Sequence, residues 1–208
     1  DTTPSITATT DPITVSYSGD SDIIKDVTGF SYVEDIAYKD FQEAVNITNG
    51  NSVLMESFTL RDGGPTNDSD GTPTALTSIT MDIANWENLR RIELFDGSGN
   101  TALASTGTNE QNVTTNLVTF TGLSLTTGTD NANIDFTVRA TFQSTVDDNE
   151  SISFTITNVQ EALTGSQLTN SDGSTSGGTI PASTLVDPDN KIEVIAIDLF
   201  LTTDFDTP

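Results

Sequence analysis

Ile134-Asp135-Phe136-Thr137-Val138-Arg139-Ala140-Thr141-Phe142 alternates apolar and polar residues without a break. A period of two sets one apolar face on a core and leaves the other wet, which marks a half-buried β-strand. The pattern returns at residues 151–156, with Ile152, Phe154 and Ile156, and at residues 78–83, with Ile79, Met81 and Ile83. Leu54, Phe58 and Leu60 are expected to share a face. Residues 90–95, 101–104 and 118–123 are shorter strand candidates. Asp96-Gly97-Ser98-Gly99-Asn100 reads as a hairpin turn, because Gly supplies positive φ. Residues 192–201 are nearly all apolar and read as a central strand or one covered on both faces.

Toward the N-terminus, Ile6 and Ala8 alternate, Pro12 interrupts, and Ile13, Val15 and Tyr17 alternate again. Pro12 excludes a central ladder position there. Residues 18–22 read as a loop, 30–38 as a strand, 40–45 as the one short helix, and 165–183 as a long loop. About ten strands with short turns predict an all-β fold. The expected architecture is an antiparallel two-sheet sandwich of immunoglobulin-like or cadherin-like topology, with little helix. Residues 1–208 are read as a single β-sandwich domain, with 1–18 as an edge strand or one exchanged between subunits.

Composition narrows the function classes. The chain has 31 Asp and Glu against seven Lys and Arg, a net charge of −24, and neither His nor Cys. Phosphates repel such a surface, so nucleic acid is not an expected partner. Anionic membranes repel it too. No apolar run reaches the ~20 residues of a membrane span. Thr is the commonest residue and favours a pleated sheet surface, while Ser, Asn, Gly and Asp favour turns. Acidic charge, abundant Thr and scarce Lys fit a secreted surface protein, with a halophilic cell-envelope protein as the rival reading. Asp1 reads as a mature or processed start.

The carboxylates gather in short clusters between strands. The richest is Arg61-Asp62-Gly63-Gly64-Pro65-Thr66-Asn67-Asp68-Ser69-Asp70-Gly71. Calcium takes about six to eight oxygen ligands from loops that fold around it. Asp62, Asp68 and Asp70 are therefore candidate calcium ligands, with glycines that let the backbone curl. Glu56 precedes Asp62 by six residues among apolar positions, where a buried carboxylate is costly without compensation. Asp147 and Asp148, in Val146-Asp147-Asp148-Asn149-Glu150, form a second group, and loops at sandwich ends can converge on one ion. The plain alternative is that Asp and Asn are turn residues. The spacing does not fit an EF-hand loop. Asp187-Pro188-Asp189-Asn190 reads as a turn before the last strand.

Asn46, Asn67, Asn112 and Asn149 each begin an N-x-Ser/Thr glycosylation acceptor. Thr-rich loops such as 126–129 and 174–176 suit O-linked sugars instead. A sugar at Asn67 or Asn149 competes with an ion in the same loop. Without His or Cys, acid–base chemistry would fall to carboxylates, and no nucleophile elbow or phosphate loop is present, so no enzymatic role is expected. Carbohydrate binding is the alternative, although Trp86 is the only Trp and its neighbours Ile83, Leu89 and Ile92 point to a core role.

Glu56-Ser57-Phe58-Thr59-Leu60-Arg61-Asp62-Gly63, Asn67-Asp68-Ser69-Asp70-Gly71, Leu89-Arg90-Arg91-Ile92-Glu93-Leu94-Phe95-Asp96-Gly97, Thr119-Phe120-Thr121-Gly122-Leu123 and Val146-Asp147-Asp148-Asn149 follow one another in order. This order resembles repeat modules of large secreted adhesins of gliding bacteria, exported by the type IX route. The likeness covers roughly residues 52–200 and lies in motif order. The acidic loops also look like the calcium-rigidified junctions of cadherin-like repeats, but this unit is about twice as long and lacks their ordered linker motif. The resemblance implies an extracellular, non-enzymatic, adhesive or fibre-forming module whose partners are neighbouring repeats or further copies of itself. Asp1-Thr2-Thr3-Pro4 and Asp206-Thr207-Pro208 are similar ends, as expected of a cut repeat or of subunits meeting head to tail. Strand donation by residues 6–17 would join such subunits.

Overall fold

The computed structural model describes residues 21–25, 35–100, 103, 110–162, 165–168 and 192. Eight strands occur among them: β1 Asp22–Lys25, β2 Val53–Arg61, β3 Ala75–Ala84, β4 Leu89–Asp96, β5 Glu110–Asn112, β6 Leu117–Thr126, β7 Asn133–Phe142 and β8 Ser153–Glu161. They form two sheets, ordered β1-β2-β7-β4-β5 and β6-β3-β8. Every neighbouring pair of strands is antiparallel. The fold is an all-β two-sheet sandwich, and its only helices among the described residues are two 3-10 turns, Tyr38–Asp40 and Trp86–Asn88. No helix among those residues is long and apolar enough to cross a membrane.

The core lies between the sheets. Phe136, Val138, Ala140 and Phe142 of β7 face it from one side, and Ile79, Met81, Phe120 and Phe154 meet them from the other. The alternating run of residues 134–142 thus forms the central strand of the larger sheet. Trp86 is half-buried and packs against the core, as its apolar neighbours predicted.

Three local expectations fail for identifiable reasons. First, Leu54 does not share the inner face with Phe58. A bulge between Leu54 and Glu56 shifts the register, so Val53 and Met55 enter the core instead. Second, residues 40–45 are not a helix. The carbonyls of Phe41, Gln42, Glu43 and Ala44 accept from Phe142 N, Arg90 Nη1, Thr141 Oγ1 and Arg91 Nη1. Acceptors spent on the sheet cannot close helical turns. Third, Asp22 belongs to β1 rather than to a loop. Its carboxylate takes a bidentate pair from Arg61, which fastens β1 to β2.

The hairpin read at residues 96–100 is present, with Gly99 at φ 68 and its N–H donating to Asp96 O at 2.8 Å. Of the strand read at 30–38, residues 30–34 lie outside the described residues, Ile36 bridges Ile192, and Tyr38 opens a 3-10 turn. Of the strand read at 192–201, Ile192 alone is described. Residues 1–18, most of 101–104, residues 187–190 and most of the 165–183 loop also lie outside the described residues.

Candidate metal centre

β2 ends at Arg61, and the next residue turns the chain toward the other sheet. Asp62 is buried, at 1% exposure. One of its oxygens, Oδ1, accepts from Thr74 Oγ1 at 2.6 Å and from Ser21 Oγ at 3.4 Å. Oδ2 accepts from Asn131 N at 2.6 Å. These donors explain how a carboxylate stands at this depth. They also tie three segments together: the β2–β3 loop, the β6–β7 turn and Ser21 ahead of β1.

The loop then doubles back. Gly63 has φ +69, and a Cβ there would lie 2.5 Å from Asp68 N and 2.6 Å from Asn131 Oδ1. Only glycine fits both the backbone conformation and the space. Asp68 N donates to Asn131 Oδ1 at 2.7 Å, and Asn131 Nδ2 donates to Asp68 O at 3.2 Å. This reciprocal clasp brings the Asp68 carboxylate beside the β6–β7 turn. Asn131, at φ 59, also donates to Asp130 Oδ2 at 2.9 Å.

Carboxylate oxygens of Asp62, Asp68 and Asp130 consequently lie within 4.8 Å of one another. This is the one such group found among the described residues, and it can hold a metal ion. Oxygens on opposite sides of a calcium ion, each at 2.3–2.6 Å, stand about 4.6–5.2 Å apart. The observed spacing therefore suits a hard cation, and the donor set is oxygen throughout. Burial pushes the Asp68 carboxyl above the usual aspartate range, and the charges of Asp70, Asp62 and Asp130 add to it against an opposing hydrogen bond from Asp70 N.

The six carboxylates singled out in the sequence are not all neighbours. Asp62 and Asp68 are in the group. Asp70 is adjacent but committed to the loop: Oδ1 accepts from Thr72 N at 2.8 Å, and Oδ2 lies 2.6 Å from Ser166 Oγ. Burial raises its pKa, but the Ser166 and Thr72 donors together outweigh that and hold it below the usual value. Glu56 is buried at 1% exposure, with Oε1 accepting from Ser57 N at 2.8 Å. It stands six residues back along β2, about 20 Å from Asp62 at strand rise. Asp147 and Asp148 are exposed and follow the far end of β7, beyond Phe142. The Asp62 loop instead adjoins Asn133, at the near end of β7, which pairs with Arg61. The two acidic loops therefore lie at opposite ends of the sandwich and do not converge on one ion.

Asp130 was not singled out in the sequence. Thr129-Asp130-Asn131 holds a lone acid in a plain turn, and only the pairing of Arg61 with Asn133 carries it to Asp62. Asn46, Asn67, Asn112 and Asn149 are all exposed. Asn67 stands at φ 59 inside the acidic loop itself. No protein-family model matches the chain, and no curated protein matches it either.

Proposed function

We propose that this chain is a non-enzymatic, extracellular structural module of a bacterial surface fibre or adhesin, with calcium bound at Asp62, Asp68 and Asp130. The observation that carries the reading is the convergence of these three carboxylates where two inter-sheet loops meet. The β2–β3 loop runs from the larger sheet to the smaller, and the β6–β7 turn runs back. An ion shared by both loops cross-links the two sheets at that end. Sandwich ends are also where tandem modules join, so an ion there would stiffen a fibre where it bends.

Electrostatics supports a cation. Like charges at about 4 Å repel by ~1 kcal/mol in water and about 4 kcal/mol at an effective dielectric of 20. Calcium turns that repulsion into ligation, with backbone carbonyls or water completing its shell. In this reading Asn46, Asn112 and Asn149 are available to carry sugar, whereas a sugar at Asn67 would compete with the ion. Subunits join head to tail by addition of a terminal strand, with residues 1–18 as the candidate donor.

The test is a pair of melting curves, in EDTA and in millimolar calcium, beside negative-stain microscopy of the native material. At free calcium 100-fold above Kd, binding adds ~2.7 kcal/mol. For a chain of this size that is a rise of roughly 5–10 °C. Coincident melting curves would exclude the calcium role. Particles that never form fibres in either condition would exclude self-assembly.

A further inference from the structure

The two sheets differ in charge. Every strand of the larger sheet carries a charged residue. In the smaller sheet, β6 has none, β3 has only Asp82, and β8 has only Glu161, which is buried. The outer surface of that sheet carries one charge, Asp82, which accepts from Asn116 Nδ2 at 2.9 Å, and is otherwise lined mainly by hydroxyls. Thr119, Thr121, Ser124, Thr126 and Thr157 are exposed. The Thr80 and Thr119 hydroxyls lie 3.0 Å apart across the β3–β6 pair, and Thr157 Oγ1 reaches Thr80 O at 3.4 Å. Leu117, at 53% exposure, extends the surface with an apolar rim.

We infer that this threonine-lined face is a self-association surface, and that its partner is the same face of a second copy of this chain. Two molecules of net charge −24 repel wherever their carboxylates meet. A nearly uncharged face is where copies approach with least repulsion. It also carries no aromatic side chain on which a sugar ring could stack: Phe120 and Phe154 both point into the core.

Size sets the kind of contact. Three strands about 4.8 Å apart and ten residues long make a face of roughly 450 Å². A stable interface needs about 800 Å² per partner. One pair of faces is therefore a weak contact, and it becomes effective when many subunits are arrayed. The face bundles fibres side by side, separately from the joint that builds each fibre. The bundling role rests on the fibre reading above, whereas the pairing of faces does not.

The absence of Cys permits a clean test. Thr119→Cys subunits, concentrated and treated with a short bis-maleimide, are expected to cross-link several-fold more than Asn46→Cys subunits, whose thiol lies in the exposed 44–46 segment. Adding Thr157→Glu to the Thr119→Cys chain should bring the yield down to that control. Added salt should raise the yield by screening the net charge. Equal yields from the Thr119→Cys and Asn46→Cys chains, or no response to Thr157→Glu, would overturn the inference. So would a Thr119→Cys thiol that is shielded by soluble polysaccharide without any dimer, which would assign the face to glycan. The cross-link is read on free subunits, so a failure to form fibres counts against the fibre reading alone.

Discussion

Replacing Asp68 by Asn removes one charge from the carboxylate group and almost nothing else. The amide oxygen still accepts from Asp70 N, and the backbone clasp to Asn131 is untouched. The oxygens of Asp62 and Asp130 lie within 4.8 Å of that carboxylate. Unit charges at this distance repel by ~1 kcal/mol in water and about 3.5 kcal/mol at an effective dielectric of 20. Asp68 is only partly buried and Asp130 is exposed, so the lower figure governs. Neutralising Asp68 relieves about 1–2 kcal/mol, or roughly 3–6 °C in melting temperature for a chain of this size. In EDTA at neutral pH, Asp68→Asn should therefore melt above the parent. In millimolar calcium the order should reverse, because the variant offers the ion a neutral amide oxygen in place of a charged carboxylate and binds it more weakly. The pH dependence follows from the direction of the Asp68 shift. A raised folded-state pKa contributes stability below the ordinary value of about 3.9, and this is lost as pH rises through the folded value. The advantage of Asp68→Asn in EDTA should thus fade on acidification and vanish below that range. Scanning calorimetry in both buffers decides the matter, and a shift of the same sign in EDTA and calcium would show that Asp68 does not serve a cation.

Other perturbations test the frame of the site. Gly63→Ala places a Cβ against Asp68 N and Asn131 Oδ1 at a φ that alanine disfavours. The expected loss is about 2–3 kcal/mol, read as a lower urea midpoint, and a neutral result would show that the loop relaxes freely. Ser166→Ala removes a buried donor to Asp70 and should destabilise by ~1–2 kcal/mol at pH 7. The lowered Asp70 pKa contributes stability above the ordinary value that is lost as pH falls through the folded one, so this difference should close in acid. Arg139 donates to Ser52 Oγ, Ser52 O, Gly99 O and Asn49 O, and sits 5.6 Å from the Phe95 ring centroid. Arg139→Ala should cost about 2–4 kcal/mol and loosen the 49–52 segment, with faster amide exchange there as the readout.

The strands that alternate cleanly were legible because burial on one face imposes a period of two. β3, β7 and β8 are of this kind. β1 and β5 were not, since Asp22–Lys25 and Glu110–Asn112 are short edge pieces that exist through pairing with β2 and β4. The bulge in β2 was hidden too, because Val53, Leu54 and Met55 are all apolar and either phase reads as a core face. The site was half legible. Asp62 and Asp68 stood out through local density and nearby glycines. Asp130 depends on strand register, which brings residues about 70 positions apart together and leaves no mark in its own turn. The proposed convergence with Asp147 and Asp148 failed for the same reason: register decides which end of the sandwich a loop occupies.

The most direct measurement is a calcium titration of the isotope-labelled protein followed by amide chemical shifts. Calcium bound at Asp62, Asp68 and Asp130 should give saturable shifts at Gly63, Asp68 and Asn131, with Asp147, Asp148 and Asn149 unmoved. Shifts centred on residues 147–149, or none at 62–71 and 130–132, would contradict it.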